Sequence, residues 1–368
     1  MKKKFKKIIY ISELNLPNIS AQSIQTLKMC SAFASEKKTE LIVFYNKKNF
    51  NFYKKNFLLK NNFKIKSVFR KPKKHSLITR LVFFFKLFKL LRERKDILFV
   101  TRSVLISLLF ALFGLKNILE IHLENYGFTR LFFNLKLFIT QSKNQKFVLI
   151  SKKLNDVFKF NKKDYIVLDD ASDFENFNSY SKKITKQRSC VYTGSFFKGK
   201  GFEIIFEISK KMKNTNFYLY GNDKFLSSAQ KENLPKNIFL CGHVSYNKVP
   251  KILSEHKICL MPYSKKVFID AGKINNEKYI SPLKLFDYLS YGKILIASNL
   301  PTYSHILKNR KNCFLVKPDK IDEWVKTINY AINNYSKLNN IRKEAKQTAK
   351  FYTWNKRAQN IITFANSI

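Results

Sequence analysis

The chain has 368 residues, too many for one ordinary domain and enough for two units of about 150–200 residues, and its 45% hydrophobic and 15% aromatic content excludes a disordered polymer. Seventy basic against 25 acidic residues give a formal charge of +45, which points to an anionic partner, yet only ten of the seventy are Arg, and a bias toward Lys, Asn, Ile and Phe also arises from AT-rich coding. Direct base readers lean on Arg, so no specific nucleic acid is expected, whereas diffuse attraction to an anionic membrane surface survives the discount.

In chain order, Lys7–Ser12 is a short β-branched run that reads as a strand, followed by a loop over residues 13–20. Apolar residues near helical spacing over 21–36 predict a helix, and Glu40–Tyr45 a buried strand, which together make a βαβ unit with a parallel sheet. The alternation continues with a helix over 78–93, a strand at Ile97–Val100, a helix over 103–113, a strand at Asn117–His122, a helix near 128–140 and strands at Phe147–Ile150 and Tyr165–Leu168. Residues 173–189 are polar and aperiodic and read as a linker. A second alternating set follows, with strands at Cys190–Thr193, Phe217–Tyr220, Ile238–Leu240, Ile258–Met261, Ile294–Ala297 and Cys313–Val316. Helices are predicted between them near 201–212, 246–255, 282–291, 301–308 and 320–335, and a helical stretch over 338–367 ends the chain. Two such α/β halves place a cleft at the carboxyl ends of both sheets.

Five scattered cysteines (Cys30, Cys190, Cys241, Cys259 and Cys313) form no CxxC pair and read as small buried hydrophobes in a reducing cytosol. The five histidines are scattered too, so no metal site is expected. The lysine-rich start is followed by too short an apolar run for a signal peptide, and the longest uncharged run, between Arg102 and Lys116, is too short to span a bilayer. A cytoplasmic chain is expected, compatible with a peripheral position at the inner face of the plasma membrane. Residues 70–95 have a matching character: Arg70, Lys71, Lys73 and Lys74 precede a segment with Lys86, Lys89 and Arg92 on one side and Phe83, Phe84, Phe85, Leu87, Phe88, Leu90 and Leu91 as a wide apolar face. Such a helix suits an anionic interface or, equally, packing on the first sheet; Phe128–Ile139, with Arg130 and Lys136, looks similar.

Chemistry concentrates in Ser281–Lys293. A Ser281-Pro282 pair opens a helix, and the amides at its start, through Leu283 and Lys284, favour an anion such as a diphosphate. Asp287 lies within that helix, where a carboxylate can accept hydrogen bonds from two ribose hydroxyls; the alternative is a packing helix with a solvated Asp. This stretch, continuing through Ile294–Pro301 and Lys311–Val316, resembles a segment of family 4 glycosyltransferases, which have the GT-B fold of two Rossmann-like domains with parallel sheets facing across a cleft. The resemblance implies that Asp287 holds the nucleotide ribose. The family has a second acidic residue eight positions earlier, where this chain has Tyr279, with Glu277 two positions away.

A second match is Tyr192–Gly201, a strand running into a glycine-containing loop. The resemblance implies that Gly194 lets the backbone approach the donor and that Lys200 neutralises its diphosphate; the usual Arg is Ser195, and Lys284 is a candidate to compensate. Gly221 after one strand, and His243 and Val244 after the next, resemble family positions lining the base and ribose pocket. In the first half the match is looser: Leu14–Ser23 resembles a loop facing acceptor and donor, Glu120 and His122 end a strand like one whose His lies near the transferred sugar, and Arg102 ends another on the acceptor side. Phe351–Arg357 resembles the closing segment whose helix packs back on the first domain.

The division implied is 1–175 for the acceptor-side domain, 176–350 for the nucleotide-sugar-binding domain and 351–368 for the returning helix. The function implied is metal-independent, retaining transfer of a sugar from a nucleoside diphosphate sugar to a glycan or lipid-linked acceptor in bacterial surface polysaccharide synthesis, with His122 catalytic and no cofactor beyond the donor substrate. Two rivals stand beside it: a basic membrane- or nucleic-acid-binding protein with a degenerate cleft, and a nucleotide-sugar epimerase of the same fold.

Overall fold

A computed structural model describes residues 5–91, 96–124, 144–174, 184–269, 274–275 and 277–368. The chain divides into two compact units, one of Met1–Asp170 with Trp354–Ile368 and one of Ala171–Thr353.

The first unit holds strands β1 (Lys7–Leu16), β2 (Lys38–Asn46), β3 (Lys64–Ser67), β4 (Ile97–Thr101), β5 (Asn117–Ile121), β6 (Gln145–Leu149) and β7 (Tyr165–Val167) in a parallel sheet ordered β3-β2-β1-β4-β5-β6-β7. β1, β4 and β5 are buried almost end to end, as a parallel sheet covered on both faces requires, which is why they read as continuous apolar runs without alternation. Ile9, Ile11, Phe44 and Phe99 meet Phe83, Leu87 and Ile106 from the helices Leu77–Leu91 and Val104–Leu112 in one core. Each such side chain contributes about 1.5–3 kcal/mol of transfer free energy. The last helix, Trp354–Ala365, belongs to this unit and packs against the helix Ala21–Ala34.

The second unit contains β8 (Lys186–Thr193), β9 (Asn216–Tyr220), β10 (Ile238–Leu240), β11 (His256–Met261), the short antiparallel pair β12 (Phe268–Ile269) and β13 (Ile274–Asn275), then β14 (Ile294–Ser298) and β15 (Phe314–Val316). Its main sheet is parallel and ordered β10-β9-β8-β11-β14-β15. The twofold period of a strand sorts neighbours to opposite faces: Cys190, Tyr192, Ile258 and Leu260 enter one core, while Val191, Cys259 and Met261 enter the other. Four cysteines are buried and Cys241 half-buried; burial pushes the Cys259 thiol up to about 12.

Several elements depart from the sequence reading. β1 runs on to Leu16 through a register shift between Ser12 and Asn15, where a loop was expected from residue 13. β8 begins at Lys186, so part of the expected linker is strand. Residues 301–308 form only the short 3-10 turn Pro301–Tyr303. The final helical stretch is two helices, Asn339–Ala349 and Trp354–Ala365, broken where Ser172 donates its amide to the Tyr352 carbonyl at 3.0 Å. The helix Phe50–Phe57, β3 and the helix Leu154–Phe158 lack a clear period in sequence. The helix predicted near 128–140 lies outside the described residues.

Candidate functional site

In the second unit the predicted donor residues converge on the carboxyl edge of the sheet. β8 ends at Thr193 and turns at Gly194, which has φ +146° and donates its amide to the Tyr220 carbonyl at 2.8 Å. Gly221, after β9, donates to the Gly242 carbonyl at 3.0 Å, and a Cβ on Gly221 would overlap the Gly194 carbonyl oxygen. A Cβ on Gly194 would overlap the Lys284 ammonium. Glycine at these two positions is therefore what lets three chain segments and one lysine share one corner.

The helix Leu283–Ser290 begins at that corner, with Pro282 one residue before its first turn, as its N-cap. Its start carries no side-chain cap, so the amides that precede the first intrahelical carbonyl point outward with the positive end of the helix. Ser281 and Leu283 flank it half-buried. The helix is pinned to β8 by Tyr288, whose hydroxyl accepts the Thr193 amide at 2.8 Å.

Lys284 is the unusual group. Its ammonium is buried without a hydrogen-bond partner among the described residues. It lies 3.5 Å from the centre of the Tyr192 ring and 5.3 Å from that of Tyr263. Aromatic faces soften the desolvation of a cation but accept no hydrogen bond of ordinary strength. Burial, then the neighbouring Lys200 charge, holds its pKa well below the usual lysine range. Lys200 is half-buried, 5.3 Å over Phe197, and burial lowers its pKa to about 8. Two lysines thus crowd one corner, and an anion entering between them and the helix start offsets their repulsion while both keep their protons.

Asp287, one turn along the same helix, is 5% exposed, and its carboxylate accepts the Tyr246 hydroxyl at 3.0 Å. Burial, then Asp287, raises the Tyr246 pKa, so the phenol stays a donor that fixes the carboxylate. Val244 packs beside Tyr246 on the adjoining core. His243 stands exposed and Ser195 uses its carbonyl to accept the Tyr192 hydroxyl at 2.8 Å. Tyr279, at the position where an acid was sought, is buried, and the Glu277 carboxylate accepts the Asn275 amide at 3.1 Å in its own turn. Tyr192, Tyr246, Tyr263 and Tyr288 were missed by the sequence reading, because each is an ordinary strand, turn or helix tyrosine until the fold brings them to one corner.

In the first unit Glu120, Arg102 and His122 also come together, in a different arrangement from the one expected. Glu120 is 1% exposed and accepts from Arg357 at 2.7 Å, Tyr10 at 2.6 Å and Gln25 at 3.4 Å. Its carboxylate is an internal brace of the first unit. Arg357 donates its Nη1 to both the Leu168 and Asp169 carbonyls, tying the last helix to the end of β7. Arg102 donates to Gln25 at 3.3 Å. His122 is half-buried, with Nε2 buried and unpartnered among the described residues. Burial, helped by Arg102 and Arg357, holds its pKa well below the usual histidine range, so the ring is neutral. Asp170 lies near both arginines, and burial raises its pKa to about 7. Arg357 was read only as part of a closing segment. Among the described residues no group of three His, Cys, Asp or Glu side chains is placed to share a metal ion.

Residues 173–348, just under half the chain, match the sequence profile of the family described as glycosyl transferases group 1. No curated protein matches the chain by sequence. Among solved structures the chain is similar to a glycosyltransferase from Rickettsia africae, with TM-score 0.73, 12% identity, and 99% of this chain and 98% of that one covered. It is similar to Anabaena HepE in complex with UDP and glucose, with TM-score 0.72, 12% identity, and 99% and 100% covered. It is also similar to a variant of Staphylococcus aureus TarM in complex with fondaparinux, α-GlcNAc-glycerol and UDP, with TM-score 0.71, 12% identity, and 98% and 100% covered. Two parallel α/β sheets in tandem are the GT-B architecture of these enzymes. In fold throughout its length, and in sequence over residues 173–348, this chain is similar to glycosyltransferases.

Proposed function

We propose that the chain is a glycosyltransferase that moves a sugar from a nucleoside diphosphate sugar to a glycan or lipid-linked acceptor. The observation that carries this reading is the buried, unpartnered Lys284 ammonium beside Lys200 at the start of the helix that bears Asp287. A diphosphate supplies the acceptor that Lys284 lacks and an opposite charge for Lys200, and Asp287, oriented by Tyr246, accepts from the ribose. Charge that develops on the leaving diphosphate is stabilised by groups already in place, which costs no reorganisation during reaction. The neutral His122 accepts or donates one hydrogen bond at the reacting sugar. Retention of configuration, independence of metal ions and a setting in bacterial surface polysaccharide assembly at the inner face of the plasma membrane complete the proposal; these parts rest on the resemblance of the sequence motifs to family 4. The UDP in the HepE and TarM structures makes uridine nucleotides the first donors to try.

The test is consumption of a panel of nucleotide sugars in the presence of a bacterial lipid extract, with and without chelator, and NMR of the product's anomeric proton. One donor consumed, with loss of at least about a hundredfold in Asp287→Ala, supports the proposal. An inverted product would remove retention alone. No donor consumed and no nucleotide bound would leave the degenerate-cleft reading.

A further inference from the structure

The sequence offered the apolar face of residues 83–91 for an anionic interface or for packing on the first sheet, and the fold puts Phe83, Phe84 and Leu87 of that face into the core while Phe85 stays outside. The same helix then carries a second apolar stripe on its outer side. Leu77 is 51% exposed, Ile78 75%, Leu81 36%, Val82 41% and Phe85 67%. These positions recur at the spacing of one helical face, so they form one strip and not scattered surface residues.

Basic groups border the strip. Arg70, Lys71, Lys73, Lys74 and Lys86 are exposed, and residues 70–91 contain no acid. The basic segment is held in place: Asn15, at the end of β1, donates to the Lys73 carbonyl at 2.8 Å and accepts its amide at 3.1 Å. Arg80 is held by Glu13 at 2.9 Å. Lys73 and Lys86 both lie over the Phe69 ring, at 5.5 and 5.1 Å, so the basic segment and the helix position that follows Phe85 share one ring.

We propose that this outer face of helix Leu77–Leu91, with residues 70–74, seats on an anionic lipid surface. Charge chooses this occupant. A second copy of the chain would set the same acid-free basic cluster against itself on a protein of charge +45. An anionic bilayer accepts both parts, since the apolar strip enters the headgroup boundary while the lysines meet lipid phosphates and extend their stems along it. The inference is independent of the donor reading.

The test is co-sedimentation of the full chain with vesicles of phosphatidylglycerol and phosphatidylcholine, or phosphatidylcholine alone, at about 0.1 M and about 0.5 M salt. Ile78→Ser/Phe85→Ser and Lys71→Gln/Lys74→Gln are compared with wild type, with circular dichroism melts as a folding control and a thermal-shift series with nucleoside diphosphates to show that the second unit is untouched. The expected result is salt-sensitive binding to acidic vesicles only, weakened at least about tenfold by the serine pair, and weakened by the glutamine pair chiefly at low salt. The proposal is overturned if the serine pair binds as wild type does, if neutral vesicles bind equally, or if wild type is a dimer in solution that the serine pair dissociates. Retention on RNA at the same affinity as on acidic vesicles, unchanged in the serine pair, also overturns it.

Discussion

The Lys284 ammonium lies 3.5 Å from the centre of the Tyr192 ring, buried and without a hydrogen-bond acceptor among the described residues. A cation in that position costs the empty protein stability, because a ring face returns only part of the lost hydration. Lys284→Met keeps the stem and removes the charge. It is expected to stabilise the ligand-free protein by about 1 kcal/mol, or a few degrees in melting temperature. Differential scanning calorimetry checks this; a melting point several degrees lower would mean that Lys284 has a stabilising partner.

Lys200 gives a pH dependence with a definite sign. Its folded pKa of about 8 lies below the ordinary 10.5. Below pH 8 both folded and unfolded chains hold the proton, and the folded state bears the cost of the buried charge. Between those values the unfolded chain holds the proton and the folded chain has released it, so stability relative to Lys200→Met rises with pH across that window. Diphosphate affinity moves the other way and weakens above pH 8. Binding at pH 8–9 should take up protons, read as a dependence of the binding enthalpy on buffer ionisation enthalpy. Affinity that is flat from pH 7 to 10 would contradict this.

Gly221 has backbone where a side chain would go, since its Cβ would overlap the Gly194 carbonyl oxygen. Backbone cannot swing aside as a side-chain tip can. Gly221→Ala is expected to destabilise the second unit by about 1–3 kcal/mol and to weaken nucleotide binding with it. Gly194→Ala meets the end of the Lys284 side chain at a φ of +146° that strains any side chain, so it should cost stability as well and, by displacing the ammonium, weaken binding further. Urea melts and nucleotide titrations on the pair separate the two effects.

The Arg357–Glu120 pair is closed from solvent on both sides. Removing Arg357 leaves a buried carboxylate whose remaining partners are neutral, at a cost of about 3–5 kcal/mol, while Glu120→Gln/Arg357→Met should recover part of it. A double-mutant cycle in chemical denaturation measures the coupling. Additive single effects would show that the pair is incidental.

The parallel strands were legible because strands buried on both faces leave long apolar runs, as at Ile294–Ser298 and His256–Met261. Gly194, Lys200 and the 281–287 segment were legible as motif positions, and the fold does bring Gly194 and Lys284 together. What sequence could not give was the company each residue keeps. The aromatic wall of Tyr192 and Tyr263 around Lys284 joins positions about twenty to ninety residues apart with no local signature. Glu120 read only as an acid at a strand end, because nothing local reveals Arg357, far along the chain, as its partner. The helix Leu77–Leu91 has apolar residues on more than one side, so periodicity left membrane seating and sheet packing equally open; the fold puts Phe83, Phe84 and Leu87 of the predicted face into the core and leaves Phe85 of the same face outside.

The central claim is that Lys284 and Asp287 make a diphosphate site with its ribose clamp. Isothermal titration of UDP, GDP and ADP into wild type, Lys284→Met and Asp287→Ala tests it most directly. The account predicts that one of these nucleotides binds wild type, at least about a hundredfold more weakly to each variant, with the methionine variant melting no lower than wild type. A nucleotide that binds all three proteins equally would contradict it.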